Sequence, residues 1–198
     1  FVFMNDEDEM FNPCFEIGFN FYRMIKNLNE AVFQFCNLNE ISASACCDSK
    51  GRFSKAKFLE LCRKSSIIGT LQAGYTDFPY LGKQTEEIVA GEALLGVSIT
   101  GWMTRPELFD EELLKEGARI VKQTNKEVAD FIGINYAARS TTVKPSGNAS
   151  VILKTASGIH PEHSKRYFRI MQLNKDSETA KYLLENCPEI LEDSVWSN

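Results

Sequence analysis

Short β-branched, apolar runs alternate with segments of helical period along this chain, and that alternation restricts the fold more than any other feature. A-V-F-Q-F-C-N-L at 31–38, L-L-G-V-S-I-T-G at 94–101, A-R-S-T-T-V at 138–143 and R-Y-F-R-I-M-Q-L at 166–173 read as strands. Between them lie helical stretches: one capped by Ser54 and running to about Gly69, one at 85–93, and a long amphipathic one over roughly 110–131. A short helix at about 148–156 and a last one at 177–186 complete the series. Strands that alternate with helices predict an α/β fold with a largely parallel sheet or barrel. The strand count is low for a closed barrel, so the sequence reads as part of something larger. With no linker rich in Pro, Gly or Ser, residues 1–198 are expected to form a single unit.

Composition narrows the function classes. The chain has 43% hydrophobic and 25% charged residues, ordinary for a globular protein, and no run of membrane-span length. A net charge of −5 argues against a nucleic-acid surface. The start, F-V-F-M-N-D-E-D-E-M, has no signal-peptide pattern and reads like the middle of a longer chain. Cysteines stand at 14, 36, 46, 47, 62 and 187, with no C-x-x-C spacing. Reduced thiols and a cytoplasmic setting are expected, without a membrane partner. Cys46, Cys47 and Cys62 read as packing residues and Cys187 as a helix-end residue.

The stretch N-P-C-F-E-I-G-F, Asn12 to Phe19, concentrates the chemistry. In an extended chain Asn12, Cys14 and Glu16 share a face, about 6–7 Å apart. That places an amide, a thiol and an acid/base in a row. The same pattern also suits an edge strand with a buried cysteine and two solvated polar groups.

A second motif, T-V-K-P-S-G-N-A-S-V at 142–151, reads as strand, turn and helix start. Pro145 ends the strand, Gly147 permits a tight turn, and the N–H groups of the helix start attract anions. Ser146, Asn148 and Ser150 add side-chain donors, and Ala149 lies among them. It is neither a Walker loop nor G-x-G-x-x-G, and a capped helix start without a ligand explains it equally. His160 and His163 in S-G-I-H-P-E-H lack an acidic or cysteine cluster, so no metal site is expected.

Taken together, N-P-C-F-E-I, F-C-N-L-N-E at 35–40, L-L-G-V-S-I-T-G-W-M at 94–103, T-V-K-P-S-G-N-A-S at 142–150 and S-G-I-H-P-E-H resemble ribonucleotide reductases. They are most similar to the adenosylcobalamin-dependent, ribonucleoside-triphosphate branch, and they occur in family order. The resemblance implies part of a ten-stranded α/β barrel, built of two five-stranded parallel halves, with a finger loop through its centre. It implies that Cys14 becomes a thiyl radical that removes the ribose 3′-hydrogen, with Glu16 as general base and Asn12 holding the hydroxyls. It further implies Cys36 as one member of the reducing cysteine pair, and Pro145, Ser146, Gly147, Asn148, Ala149 and Ser150 as the phosphate loop. Adenosylcobalamin is the implied cofactor. The implied partners are a ribonucleotide, a thioredoxin-like or dithiol reductant, and the remaining barrel segments of a longer or split chain.

The chain departs from the family pattern in two places. Phe15 is bulky where a small residue is frequent, and Asn148–Ala149 stands where two threonines are common. Three other readings remain at this point: an iron-dependent class I large subunit acting on diphosphates, a non-catalytic split or vestigial fragment, and a cysteine hydrolase built on Cys14 and His160.

Overall fold

The computed structural model describes residues 9–20, 33–104, 106–168 and 170–195. Over these residues the chain forms two compact units, Phe1–Glu162 and His163–Asn198, each described here by itself.

The first unit holds a small parallel sheet. Strand β3 (Asn37–Ser42) pairs in parallel with β4 (Leu95–Thr100), Asn37 opposite Leu95 and Ser42 opposite Thr100. On the far side of β4, Thr141 bridges Val97 in parallel, and the Leu95 N–H donates to the Arg139 carbonyl at 2.9 Å. The 138–143 segment therefore runs beside β4, but it is not the expected strand: only Thr141 forms a ladder bridge. A separate antiparallel hairpin joins β1 (Glu9–Phe11) to β2 (Gly18–Asn20).

Parallel strands need crossover connections, and helices supply them. Helix α1 (Lys55–Ala73) starts where Ser54 Oγ accepts from the Lys57 N–H at 3.2 Å. Helix α2 (Lys83–Glu92) leads into β4 through Ala93, at a left-handed φ of 42°. Helix α3 (Glu111–Ile132) is capped by Asp110, whose Oδ1 accepts from the Leu113 N–H at 2.8 Å. Glu111 and Glu112 complement the positive end of its dipole. It stops at Gly133, at φ 76°, a conformation that costs glycine little.

Helices α1 and α3 pack together over one face of the sheet. Gly117 permits the approach: a Cβ there would lie 3.0 Å from Phe58 Cε1 and 3.1 Å from Cys62 Sγ. Around that crossing Ile41, Phe58, Cys62, Val97, Phe109, Leu113 and Val121 form the core. Farther along, Ser66 Oγ donates to the Val121 carbonyl at 2.7 Å, and Asn125 Nδ2 donates to Thr70 Oγ1 at 3.0 Å. Every buried polar group in this seam that takes part is thereby satisfied, which fixes the helix register.

Three further strand expectations change. The 31–38 run is not the strand: 31–32 lie outside the described residues, 33–36 are irregular, and the ladder begins at Asn37. Its apolar side chains pack elsewhere, with the Phe35 ring tilted against Phe78, centroids 5.2 Å apart, and the Phe33 N–H donating to Thr85 Oγ1 at 3.2 Å. Residues 14–17 are a turn rather than extended chain. None of the described residues of 166–173 is in a strand. The second unit offers no neighbouring strand among its described residues, and a ladder needs one. That unit instead centres on α5 (Glu178–Asn186), capped by Ser177 Oγ accepting from the Ala180 N–H at 3.2 Å. Lys175 pairs with Asp193 at 2.8 Å beside it.

Short helix α4 (Asn148–Ile152) ends earlier than expected. Among the described residues no helix is long and apolar enough to cross a membrane, and all six cysteines are free thiols.

Candidate active site

Side chains alternate across a strand, so the sheet has two unlike faces. Ile41, Leu95 and Val97 face the helices. The other face presents Leu38, Glu40, Gly96, Ser98, Thr100 and Thr142, with Cys36 at its edge. Gly96 lies at a close approach on this face. A Cβ built on it would come within 2.9 Å of Thr142 Cγ2 and 3.1 Å of Cys36 Sγ. Glycine there lets the thiol and the threonine close over the strand.

The hairpin of the N-P-C-F-E-I motif sits against this polar face. Thr142 Oγ1 donates to the Glu16 carbonyl at 3.0 Å. Within the hairpin the Phe15 N–H donates to the Asn12 carbonyl at 2.9 Å, and the Ile17 N–H donates to Asn12 Oδ1 at 3.0 Å. The expected row of Asn12, Cys14 and Glu16 on one strand face is therefore replaced by a turn. Asn12 spends its side-chain oxygen closing that turn, which leaves its amide N–H groups for other partners. Cys14 is exposed at the tip and Glu16 is half-buried.

Phe15 has φ 59°. A left-handed conformation costs a residue with a Cβ, and this is the physical reason a small residue suits the position. Here the ring stacks on Phe11, centroids 5.7 Å apart.

Glu16 and Cys36 face each other electrostatically. Burial pushes the Cys36 thiol up to about 12, and the Glu16 charge pushes in the same direction. Glu16 Oε2 is itself buried and has no hydrogen-bond partner among the described residues. A buried carboxylate oxygen with a free lone pair is suited to accept an O–H from a bound molecule.

The raised thiol has a readable consequence. The thiolate is the reactive form, so Cys36 stays protonated through neutral pH and becomes reactive only as pH climbs toward its raised value. Buried Cys46 and Cys62, pushed up by burial to about 11 and about 12, behave alike. With iodoacetamide at pH 8, exposed Cys14 is expected to react at least about tenfold faster than these three. Peptide mapping over time checks this; equal labelling of Cys14 and Cys36 contradicts the geometry.

The 142–150 motif folds over the same face, with its hydroxyls turned inward. Ser146 is 1% exposed and its Oγ donates to Glu40 Oε2. Ser150 Oγ donates back to the Ser146 carbonyl at 2.8 Å. Neither hydroxyl is turned outward toward a ligand. The left-handed residue is Ser146 (φ 40°), whereas Gly147 has φ −75° and open space where a Cβ would be. Gly147 and Asn148 are exposed on this loop.

Sequence reasoning passed over Glu40, Lys144 and Thr142 as site residues. Their signal was the alternation in N-L-N-E-I-S and T-T-V-K, which puts polar groups on the face opposite the core. His160 is exposed, with Nδ1 3.2 Å from the Ser157 carbonyl. It makes no hydrogen bond to Cys14 among the described residues, so nothing supports the hydrolase reading. His163 stands edge-on to Tyr167 in the second unit.

Among the described residues there is no seat for a corrin ring. A mostly apolar cavity of about 240 Å³ is lined by Phe58, Cys62, Val97, Gly117 and Val121 and also reaches Ser98, Thr142 and Ile159. It is too small for a corrin.

No family model matches the chain, and no solved structure matches it. Two curated proteins do. One is an adenosylcobalamin-dependent ribonucleoside-triphosphate reductase of Euglena gracilis, 26% identical over 149 residues, covering 73% of this chain and 20% of the relative. The other is a probable adenosylcobalamin-dependent ribonucleoside-triphosphate reductase of Dictyostelium discoideum, 22% identical over 120 residues, covering 59% of this chain and 15% of the relative. The chain thus spans about a fifth of the length of the first relative and less of the second. Both relatives carry in their names the cofactor that the motifs imply. By motif order and by these two relatives, the chain is similar to a segment of the adenosylcobalamin-dependent ribonucleoside-triphosphate reductases.

Proposed function

We propose that this chain is part of the catalytic barrel domain of an enzyme that reduces ribonucleotides to 2′-deoxyribonucleotides, with triphosphates as substrates. Residues 1–198 all belong to that one domain in this reading. The observation that carries it is the meeting of three groups over one polar sheet face: the Cys14 turn, the buried unpartnered Glu16 oxygen, and the Cys36 thiol.

Cys14, at the exposed tip, is the sulfur that takes the ribose 3′-hydrogen and later returns it. Adenosylcobalamin, named in both relatives, would be held by other parts of a longer chain, since the described residues offer no corrin seat, and would supply the unpaired electron from there. Glu16 accepts the 3′-hydroxyl proton through its free oxygen. Asn12 keeps its N–H groups for ribose oxygens. Cys36 is held as a thiol, so it has a proton to give to the departing 2′-hydroxyl. The net change replaces that hydroxyl by hydrogen, releases one water, and joins two thiols in a disulfide. Cys36 contributes one sulfur, and a cysteine elsewhere in a longer chain contributes the other. The backbone N–H groups of Gly147 to Ala149 hold the phosphates. A dithiol or thioredoxin-like partner then re-reduces the pair, and the setting is cytoplasmic.

The complete enzyme, given a ribonucleoside triphosphate and a dithiol, is expected to form deoxyribonucleotide only when adenosylcobalamin is added. Turnover with diphosphates and a separate radical-generating subunit, but without cobalamin, assigns it to the class I branch instead.

A further inference from the structure

Glu40 is the most completely engaged carboxylate on the polar face. Its side chain is 6% exposed. One oxygen accepts from Lys144 Nζ and the other from Ser146 Oγ, across more than 100 residues of sequence. The same loop is held at other points. The Lys144 N–H donates to Ser98 Oγ at 3.0 Å, and Ser157 Oγ donates to the Pro145 carbonyl at 2.7 Å. Ser157 also reaches the Ser146 carbonyl. Those contacts fix the loop's ends and its floor. Glu40 alone grips the side chain of Ser146, the residue in the left-handed conformation that turns the chain.

Glu40 also belongs to the strand that begins beside Cys36. Four residues of strand span about 13 Å, the scale on which a nucleoside triphosphate reaches from its ribose to its phosphates. The thiol therefore lies just before the strand and the clamp of the 144–150 loop within it. The Lys144 ammonium is already paired with Glu40 inside this clamp.

We propose that Glu40 is a positioning residue for nucleotide binding: with Lys144 and Ser146 it shapes the loop that receives the phosphates, at a set distance from Cys36. This rests on the ribonucleotide-reduction reading above. Glu40 touches no reacting atom in it. Its loss therefore weakens nucleotide binding and leaves the chemical step largely intact.

The test is steady-state kinetics of the complete enzyme with ATP, comparing the parent, Glu40→Gln, Glu40→Asp and Ser146→Ala. Glutamine removes the charge that holds Lys144 while keeping the side-chain length. Glu40→Gln is expected to raise KM for ATP by about tenfold, the scale of losing a hydrogen bond to a charged group, with kcat within about threefold of the parent. Glu40→Asp recovers part of that loss. Ser146→Ala removes the contact from the loop side and raises KM in the same direction, so a Glu40 variant that fails to fold leaves this arm to decide. An unchanged KM in a folded Glu40→Gln or in Ser146→Ala overturns the proposal, as does a fall in kcat at unchanged KM. Tighter ATP binding by Glu40→Gln also overturns it, because the freed Lys144 would then be the phosphate ligand. A parent enzyme that reduces no ribonucleotide removes the underlying reading instead, before any variant is compared.

Discussion

Serine at position 14 is expected to abolish ribonucleotide reduction, lowering kcat by at least about 10³-fold, the scale on which groups that act as a unit fail when one is removed. Bond strength and place decide this. An O–H bond is much stronger than an S–H bond, so a serine oxygen does not serve as a reversible hydrogen carrier. The substitution is otherwise nearly isosteric, and Cys14 is exposed at the tip of a turn closed by Asn12 and not by the thiol. Folding and nucleotide affinity should therefore be unchanged. Thermal melting and equilibrium ATP binding of Cys14→Ser, measured beside turnover, separate lost chemistry from lost structure. A serine variant that still makes deoxyribonucleotide removes Cys14 from the mechanism.

Phe58→Ala should cost the most stability, about 3–5 kcal/mol by the usual cost of emptying a large aromatic site. Phe58 is 2% exposed at the crossing of α1 and α3. Its ring meets Phe109 edge-on at 5.4 Å and covers Gly117 closely. The neighbouring cavity of about 240 Å³ would grow, because Gly117 brings no side chain into the gap. Small domains have only about 5–15 kcal/mol in total, so the midpoint in urea should fall steeply. A loss under about 1 kcal/mol would mean that the two helices do not depend on this contact for packing.

Helices were the legible part of this fold. Ser54, Asp110 and Ser177 each cap the helix that follows them, and Gly133 ends the longest one. These signals act within a few residues, so sequence carries them directly. Strands depend on partners that sequence does not show. The apolar run at 31–38 reads as a strand, yet only Asn37 and Leu38 of it join the ladder, which belongs to the more polar N-L-N-E-I-S, whose alternation separates core from site. The tract at 166–173 has strand composition and no described neighbour to pair with.

The site was legible in its residue types and not in its geometry. Cys14, Glu16 and Cys36 were named from short motifs, but the extended row drawn for Asn12, Cys14 and Glu16 is a turn whose left-handed residue is Phe15. The hydroxyls of Ser146 and Ser150 looked like phosphate donors, and both point inward. Glu40, which draws Ser146 in, is over 100 residues away in sequence, and no local pattern announces that pairing.

The account stands on one hydrogen atom, carried from a sugar carbon to a sulfur and back. The most direct measurement uses the complete enzyme with ATP deuterated at the ribose 3′-carbon, compared with ordinary ATP under the same dithiol and adenosylcobalamin. A primary isotope effect on 2′-deoxynucleotide formation is predicted, together with deuterium kept at the 3′-carbon of the product. Deoxynucleotide formed at equal rates from both substrates, or no deoxynucleotide from either, contradicts the account.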